Sequence, residues 1–405
     1  MVVKNVVLCD VKRCEKCDVR IEDGILVEIG ENLVSDDVID ANGAYMVPSL
    51  VDTNISLQDA TLSAKNIQKI SQEAVLGGVG HLLLNATTNP PLDNEVALEY
   101  AQNALRDTDG IKIDLMINAL QEDNSLSNIA ILLKSGAAAP YMSTIAKNDI
   151  AIKVAEYVKM YDVTLLCKAE DNSLIHSGVM LDGDVSSKLG LAGIPNLSEV
   201  LHVSRMIEIA KHFGIKILFK SIASPRSVSL INQAKKEGVD VSCEISLTHL
   251  LKSDESCIGF NTTAKLDPPL ASKGDVTLLQ EALKNDQVDV LTTLHQPSSP
   301  INKEVAFYDA AYGSESLRYA LPLYYTKLVK SGLITMQKLI ELCVQNPAKA
   351  LGFEAGEFKV GTKVDAMLLD IEKKEVVENA QSLFDKEVLE AQVTTHFHDK
   401  EIVKL

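Results

Sequence analysis

Apolar positions at the start of the chain alternate with polar ones and show no helical spacing. Val2, Val6, Val7 and Leu8, then Val19 and Ile21, then Ile25, Val27 and Ile29 fall on near-alternating runs, broken by Glu22-Asp23-Gly24 and Gly30. A period of two with turn residues between the runs predicts short strands. The other end behaves the same way: Gly356 and Gly361 punctuate it, Val364 to Asp370 is a compact apolar strand candidate, and Lys400 to Leu405 is a further one. Neither end carries enough apolar surface to stand alone. Together they are expected to form one small β domain, a sandwich made of residues 1–47 and 354–405.

Residues 48–353 follow a different pattern. Ile67, Ile70, Ala74 and Val75 have helical spacing that stops at Gly77-Gly78, after which Val79 to Ala86 reads as a buried strand. Strand candidates recur at Ile111 to Ile117, Val163 to Cys167, Ile215 to Ile222, Val239 to Ile245 and Val288 to Thr293, mostly separated by helix-length segments. Asn196 with Glu199 is a weak capping-box variant, Ser224-Pro225 starts a helix, and Gly214 and Gly238 stand where helices stop. Alternation sustained this long predicts an α/β fold of the (β/α)8 barrel type, preceded by a first barrel strand within Val47 to Ser56.

Composition narrows the function. Among 405 residues, 56 acidic side chains against 39 basic ones give a formal net charge of -17. Such a chain has no basic stripe for phosphates, which argues against nucleic-acid and anionic-membrane partners. No apolar run reaches the length of a membrane span and the start has no signal-peptide pattern, so a cytoplasmic location is expected. Seven cysteines do not suggest a disulfide framework, and Cys14 and Cys17 form a lone C-x-x-C without a second pair. His396-Phe397-His398 is a His-x-His whose side chains would share one face of a strand, with no third ligand evident in the sequence.

Several motifs in barrel order resemble those of the dihydroorotases, metal-dependent cyclic amide hydrolases of the amidohydrolase superfamily. Pro48, Val51 and Asp52 match the opening Pro-Gly-x-Val-Asp-x-His-x-His-x-Arg, and Gly77-Gly78 the Ala-Gly-Gly step. Lys168-Ala169-Glu170-Asp171 stands at His-x-Glu-Asp, and Ser221 to Ser224 at His-x-Ser. Cys243-Glu244 to His249-Leu250, Asp267-Pro268-Pro269-Leu270 and Asn346-Pro347-Ala348 match later motifs. The resemblance implies the family's barrel and a site at the C-terminal ends of its strands.

It also implies which residues should carry the chemistry, and those are the ones that differ. Asn54, Ser56, Lys168 and Ser221 stand where the family has histidines, and Tyr141 to Thr144 contains no bridging acid. An amide or hydroxyl is a poor transition-metal ligand and an ammonium repels a cation, so no metal or other cofactor is expected there. Leu294 replaces the acid/base aspartate and cannot move a proton. Gln58, Thr88, Asp267 and Ala271 replace the substrate clamps. Asp52, Glu170, Asp171, His249 and His295 are retained at the mouth, the two histidines reading as hydrogen-bonded structural groups. Lys168 is expected to compensate Asp52 and Glu170 electrostatically, and Cys167 to be a buried strand cysteine rather than a nucleophile.

The resulting expectation is a pseudoenzyme with no catalytic residues. Noncatalytic members of the family associate with aspartate carbamoyltransferase, so the resemblance implies a structural or regulatory partner of that enzyme, in an oligomeric complex within pyrimidine biosynthesis. The alternative is an active cyclic amide hydrolase with a migrated or metal-free site. A small-molecule sensor using the barrel mouth is a third reading.

Overall fold

The computed structural model describes residues 1–108, 110–143 and 147–405. Eight parallel strands form the barrel: Leu50–Ile55, Val79–Leu84, Lys112–Asn118, Ala139–Met142, Thr164–Lys168, Lys216–Lys220, Val241–Ser246 and Val290–Thr292. They are hydrogen-bonded in chain order. The first and last meet through a bridge between Ile55 and His295, where the Ser56 amide donates to the His295 carbonyl at 2.9 Å. The first two strands are buried along their whole length, as strands covered on both faces should be.

Helices between the strands bury the stripes that their spacing predicts. In Ala64–Gly77 the buried positions include Ile67, Ile70 and Ala74, and Ser63 caps the first turn by accepting from the Asn66 amide. Gly78 ends that helix at φ 79°, where a Cβ would lie 2.9 Å from that of Leu321. Pro225 opens the helix Pro225–Lys236, and Gly214 closes Leu197–Phe213. The Asn196–Glu199 capping box does not form, because Asn196 is already helical and its side chain caps nothing. Glu199 turns inward instead, and its carboxylate accepts from the Ala223 and Ser224 amides at 2.9 and 3.0 Å. Burial pushes its pKa up to about 7.

The chain ends combine in one eight-stranded mixed sheet: Val2–Cys9, Cys14–Glu22, Ile25–Gly30, Val38–Asp40, Tyr45–Pro48, Asp365–Asp370, Gln392–His398 and Glu401–Lys404. The sheet curls so that Ile25 bridges Lys363, and its two halves face each other across an apolar core containing Val19, Leu26, Leu368 and Phe397. Cys9 and Cys14, a register pair at the first hairpin, are joined as a disulfide, and the other five cysteines are free. Among the described residues, no helix is long and apolar enough to cross a membrane.

Candidate functional site

The C-terminal ends of the barrel strands surround a cavity of about 240 Å³. Asn54, Ser56, Lys168, Glu170, Ser221, Asp267 and Leu294 line it together, with Tyr141 and Lys220. Thr144 lies outside the described residues.

Beneath the cavity, Asp52 fastens the seam between the first and last strands. Its carboxylate accepts from the Thr292 hydroxyl at 2.5 Å and from the Thr293 amide and hydroxyl at 2.9 and 2.6 Å. Burial raises its pKa against the lowering effect of these bonds. Side-chain hydrogen bonds thus reinforce the seam where the strands' own ladder is sparse.

Next to it is a buried polar hub. Glu244, with no solvent exposure, accepts from the Asn54 amide group at 2.7 Å and from the Ser221 amide at 3.2 Å. Its other oxygen accepts from the Thr53 hydroxyl at 2.5 Å and lies 3.4 Å from the Lys220 ammonium. Lys220 also donates to the Thr53 carbonyl. Burial lowers the Lys220 pKa, while Glu244 and Asp52 oppose that effect. Asn54 is used on both sides, since its carbonyl oxygen accepts from Asn85 at 2.9 Å and its amide group also donates to Ser221 at 2.7 Å.

Lys168 forms the upper layer. Its ammonium is 2.6 Å from Asp267 and 3.0 Å from Glu170. Burial alone would lower its pKa, but Asp267, Tyr141 and Glu170 raise it above the ordinary lysine value. The expected compensation of Glu170 is present, whereas that of Asp52 is not: Asp267 takes the second place, and Asp52 shares the field of Lys220. Asp52 points into the strand seam, one layer below the Lys168 head.

Both retained histidines are built into the fold through Nδ1, while the buried Nε2 of His295 has no hydrogen-bond partner and lies 3.4 Å from the Glu73 carboxylate. His249 receives the Ser246 hydroxyl on Nδ1 at 2.7 Å, and its Nε2 donates toward the Pro268 carbonyl at 3.1 Å. It thereby anchors the loop that carries Asp267. His295 accepts from the Ser316 and Leu317 amides on Nδ1, both at 3.3 Å. Burial lowers the two pKa values to about 4 and about 3. Cys167 is fully buried against His202 at 3.3 Å, and burial pushes its thiol up to about 12, the opposite of what a nucleophile needs.

Besides Asp52, His249 and His295, four more candidates from the sequence lie off the cavity wall. Gln58 accepts from Lys69 at 3.3 Å, Thr88 donates to the Pro90 carbonyl at 2.7 Å, Asp171 accepts from the Ser173 amide at 2.9 Å, and Ala271 is buried. Conversely, the sequence reading passed over Lys220 and Glu244 as site residues. Their signal was present: Lys220 ends the apolar run Ile217–Phe219 and Glu244 is the one charge in Val241–Ser246, on neighbouring strands and of opposite sign.

A divalent cation does not fit this mouth. Lys168 and Lys220 place two ammonium groups on the cavity wall, Asn54 and Ser221 are committed to Glu244, and Leu294 offers no donor. Among the described residues, the group of His, Cys, Asp and Glu side chains spaced for a metal lies elsewhere.

A barrel of eight parallel strands with a curled sheet built from both chain ends is the amidohydrolase fold. The chain superposes on an L-hydantoinase (dihydropyrimidinase) from Arthrobacter aurescens with a TM-score of 0.88 at 22% identity, covering 100% of this chain and 95% of that one. A D-hydantoinase gives 0.86 at 20% identity, with the same coverage of 100% and 95%. At these identities the likeness concerns the fold. The dihydro-orotase-like family model matches residues 43–226. A dihydroorotase of Elusimicrobium minutum is 36% identical over 377 residues, 90% of this chain and 87% of that protein. One of Acetivibrio thermocellus is 34% identical over 369 residues, 89% and 86% respectively. The chain belongs to the dihydroorotase family of the amidohydrolase superfamily.

Proposed function

We propose that this chain is a noncatalytic dihydroorotase-like protein, acting as a structural or regulatory partner of aspartate carbamoyltransferase in pyrimidine synthesis. The carrying observation is the Lys168–Glu170–Asp267 cluster, in which an ammonium stands where the family resemblance places a metal-binding histidine. The ammonium engages both carboxylates, and Leu294 stands where the family resemblance places the base. The partner is supported by the resemblance to noncatalytic family members, and a polar interface by the net charge of -17.

The test is co-expression with the carbamoyltransferase of the same organism. The two chains should elute as one complex with an interface of at least roughly 1,200–2,000 Å² summed over copies, weakened by salt. Separate elution at micromolar concentration, with transferase activity unchanged by adding this chain, contradicts the reading.

One observation favours a second reading, a hydrolase with a metal-free site. Burial lowers the pKa of Lys220 at the cavity wall, and an uncharged amine is a base. That reading requires turnover of a cyclic amide that Lys220→Met abolishes.

A further inference from the structure

The opposite end of the barrel carries a cluster that the mouth does not explain. Two residues apart on the strand Gln392–His398, His396 and His398 project to the same face. The antiparallel neighbour Asp365–Asp370 pairs Asp365 with His398 and Met367 with His396, which brings the Asp365 carboxylate to both imidazoles. Gly80, at the N-terminal end of the second barrel strand, makes room for it: a Cβ there would lie 2.8 Å from an Asp365 carboxylate oxygen.

His396 Nε2 is 3.5 Å from Asp365 Oδ1, and His398 Nδ1 is 3.5 Å from Asp365 Oδ2. One donor atom from each of the three residues lies within 4.8 Å of the other two. These distances are too long for good hydrogen bonds. Both ring nitrogens of His396 and Nδ1 of His398 are buried without a hydrogen-bond partner, and the His396 side chain is 0% exposed. Unpaired buried imidazole nitrogens are costly and call for a ligand.

We propose that Asp365, His396 and His398 bind one divalent cation of the zinc class. Bonds of 2.0–2.2 Å in a tetrahedron place donor atoms about 3.3–3.6 Å apart. Each imidazole meets that separation with a different oxygen of Asp365, and the remaining separations of a set with one carboxylate oxygen, all within 4.8 Å, close by rotation of the half-buried His398 ring. Two imidazoles and a carboxylate leave a fourth position for water. Asp365 and His398 also border a cleft of about 940 Å³, which gives solvent and cation a way in. His396 has no carbonyl or carboxylate on its second nitrogen, and a missing outer partner of this kind weakens a site by about 10–100-fold.

The experiment uses the full chain, stripped with a chelator and titrated with Zn²⁺ by calorimetry and with Co²⁺ by visible absorption. The expected result is one equivalent bound, with the intense absorption of tetrahedral Co²⁺, and affinity reduced more than about tenfold in His398→Ala and in Asp365→Asn. Both positions are partly exposed, so these variants should fold, which near-UV circular dichroism checks; His396→Gln is the deeper companion. Absence of binding overturns the proposal, as does affinity reduced by less than that in both variants. Loss of binding in Glu170→Gln would place the cation at the mouth and overturn it equally.

Discussion

The two ends of the barrel differ in how they manage charge. At the mouth, two ammonium groups are set among Glu170, Glu244 and Asp267, and the polar groups around Glu244 are paired with one another. At the floor, Asp365 sits between two imidazoles whose inward nitrogens bond to nothing. Charge satisfied from within asks for no cation, whereas two unpaired imidazoles gathered around one carboxylate ask for one; the lone unpaired His295 beside Glu73 offers no such set. Within this family fold, the end that should hold metal is closed to it, and the opposite end has the donor set.

The largest effect expected from this contrast is on acid stability. His202, His249 and His295 have folded pKa values of about 3, about 4 and about 3, lowered by burial from the ordinary histidine value of 6.5. Between pH 6.5 and 4 the unfolded chain binds protons at these positions and the folded chain does not, so stability falls as pH falls. At about 1.4 kcal/mol per unit, each is worth on the order of 3 kcal/mol across that window. Carboxyl groups whose folded pKa burial raises act in the opposite sense: Asp52, Glu73, Glu170, Glu199, Asp254 and Glu375. The folded pKa of Glu199 is raised to about 7, so its contribution is lost as pH rises through the window from 4.5 to 7. The three barrel histidines, each shifted across the whole of this window, should outweigh them. The midpoint of thermal unfolding should drop by several degrees from pH 6.5 to pH 4, and a flat profile would remove the neutral-histidine account.

Breaking the buried pair beneath the mouth should come next. Lys220→Met leaves Glu244 without its cation and should cost about 3–5 kcal/mol, while Lys220→Met with Glu244→Leu should recover much of that loss. Chemical denaturation of the single and double variants measures the difference. Lys168→Met should cost only about 1 kcal/mol, because its partners Glu170 and Asp267 keep side-chain exposures of 14% and 34% and can rehydrate. Equal losses in the two lysine variants would erase the distinction between the layers.

Much of this fold could be read in the chain because strand and helix periods alternate cleanly, and seven of the eight barrel strands lie in runs recognised there. The fourth, Ala139–Met142, was not recognised: it is four residues long, contains Pro140 and begins on the last of three alanines, so it lacks both length and β-branched side chains. The site was legible as a set of replacements, since Asn54, Ser56, Lys168, Ser221, Asp267 and Leu294 do converge on one cavity. Their pairings were not, because which acid a lysine meets depends on contacts 99 residues apart for Lys168 and Asp267. The floor cluster was half visible as His396-Phe397-His398. Its third member stands 31 positions earlier, as the numbering shows, and only strand register brings it in.

The central claim is that the mouth has lost its chemistry, and turnover tests it most directly. Purified protein should neither cyclise carbamoyl-aspartate nor hydrolyse dihydroorotate above the buffer rate, with or without added Zn²⁺. Clear turnover that Lys168→Ala or Asp52→Ala abolishes while the fold is retained would contradict the account and establish an active site at the mouth.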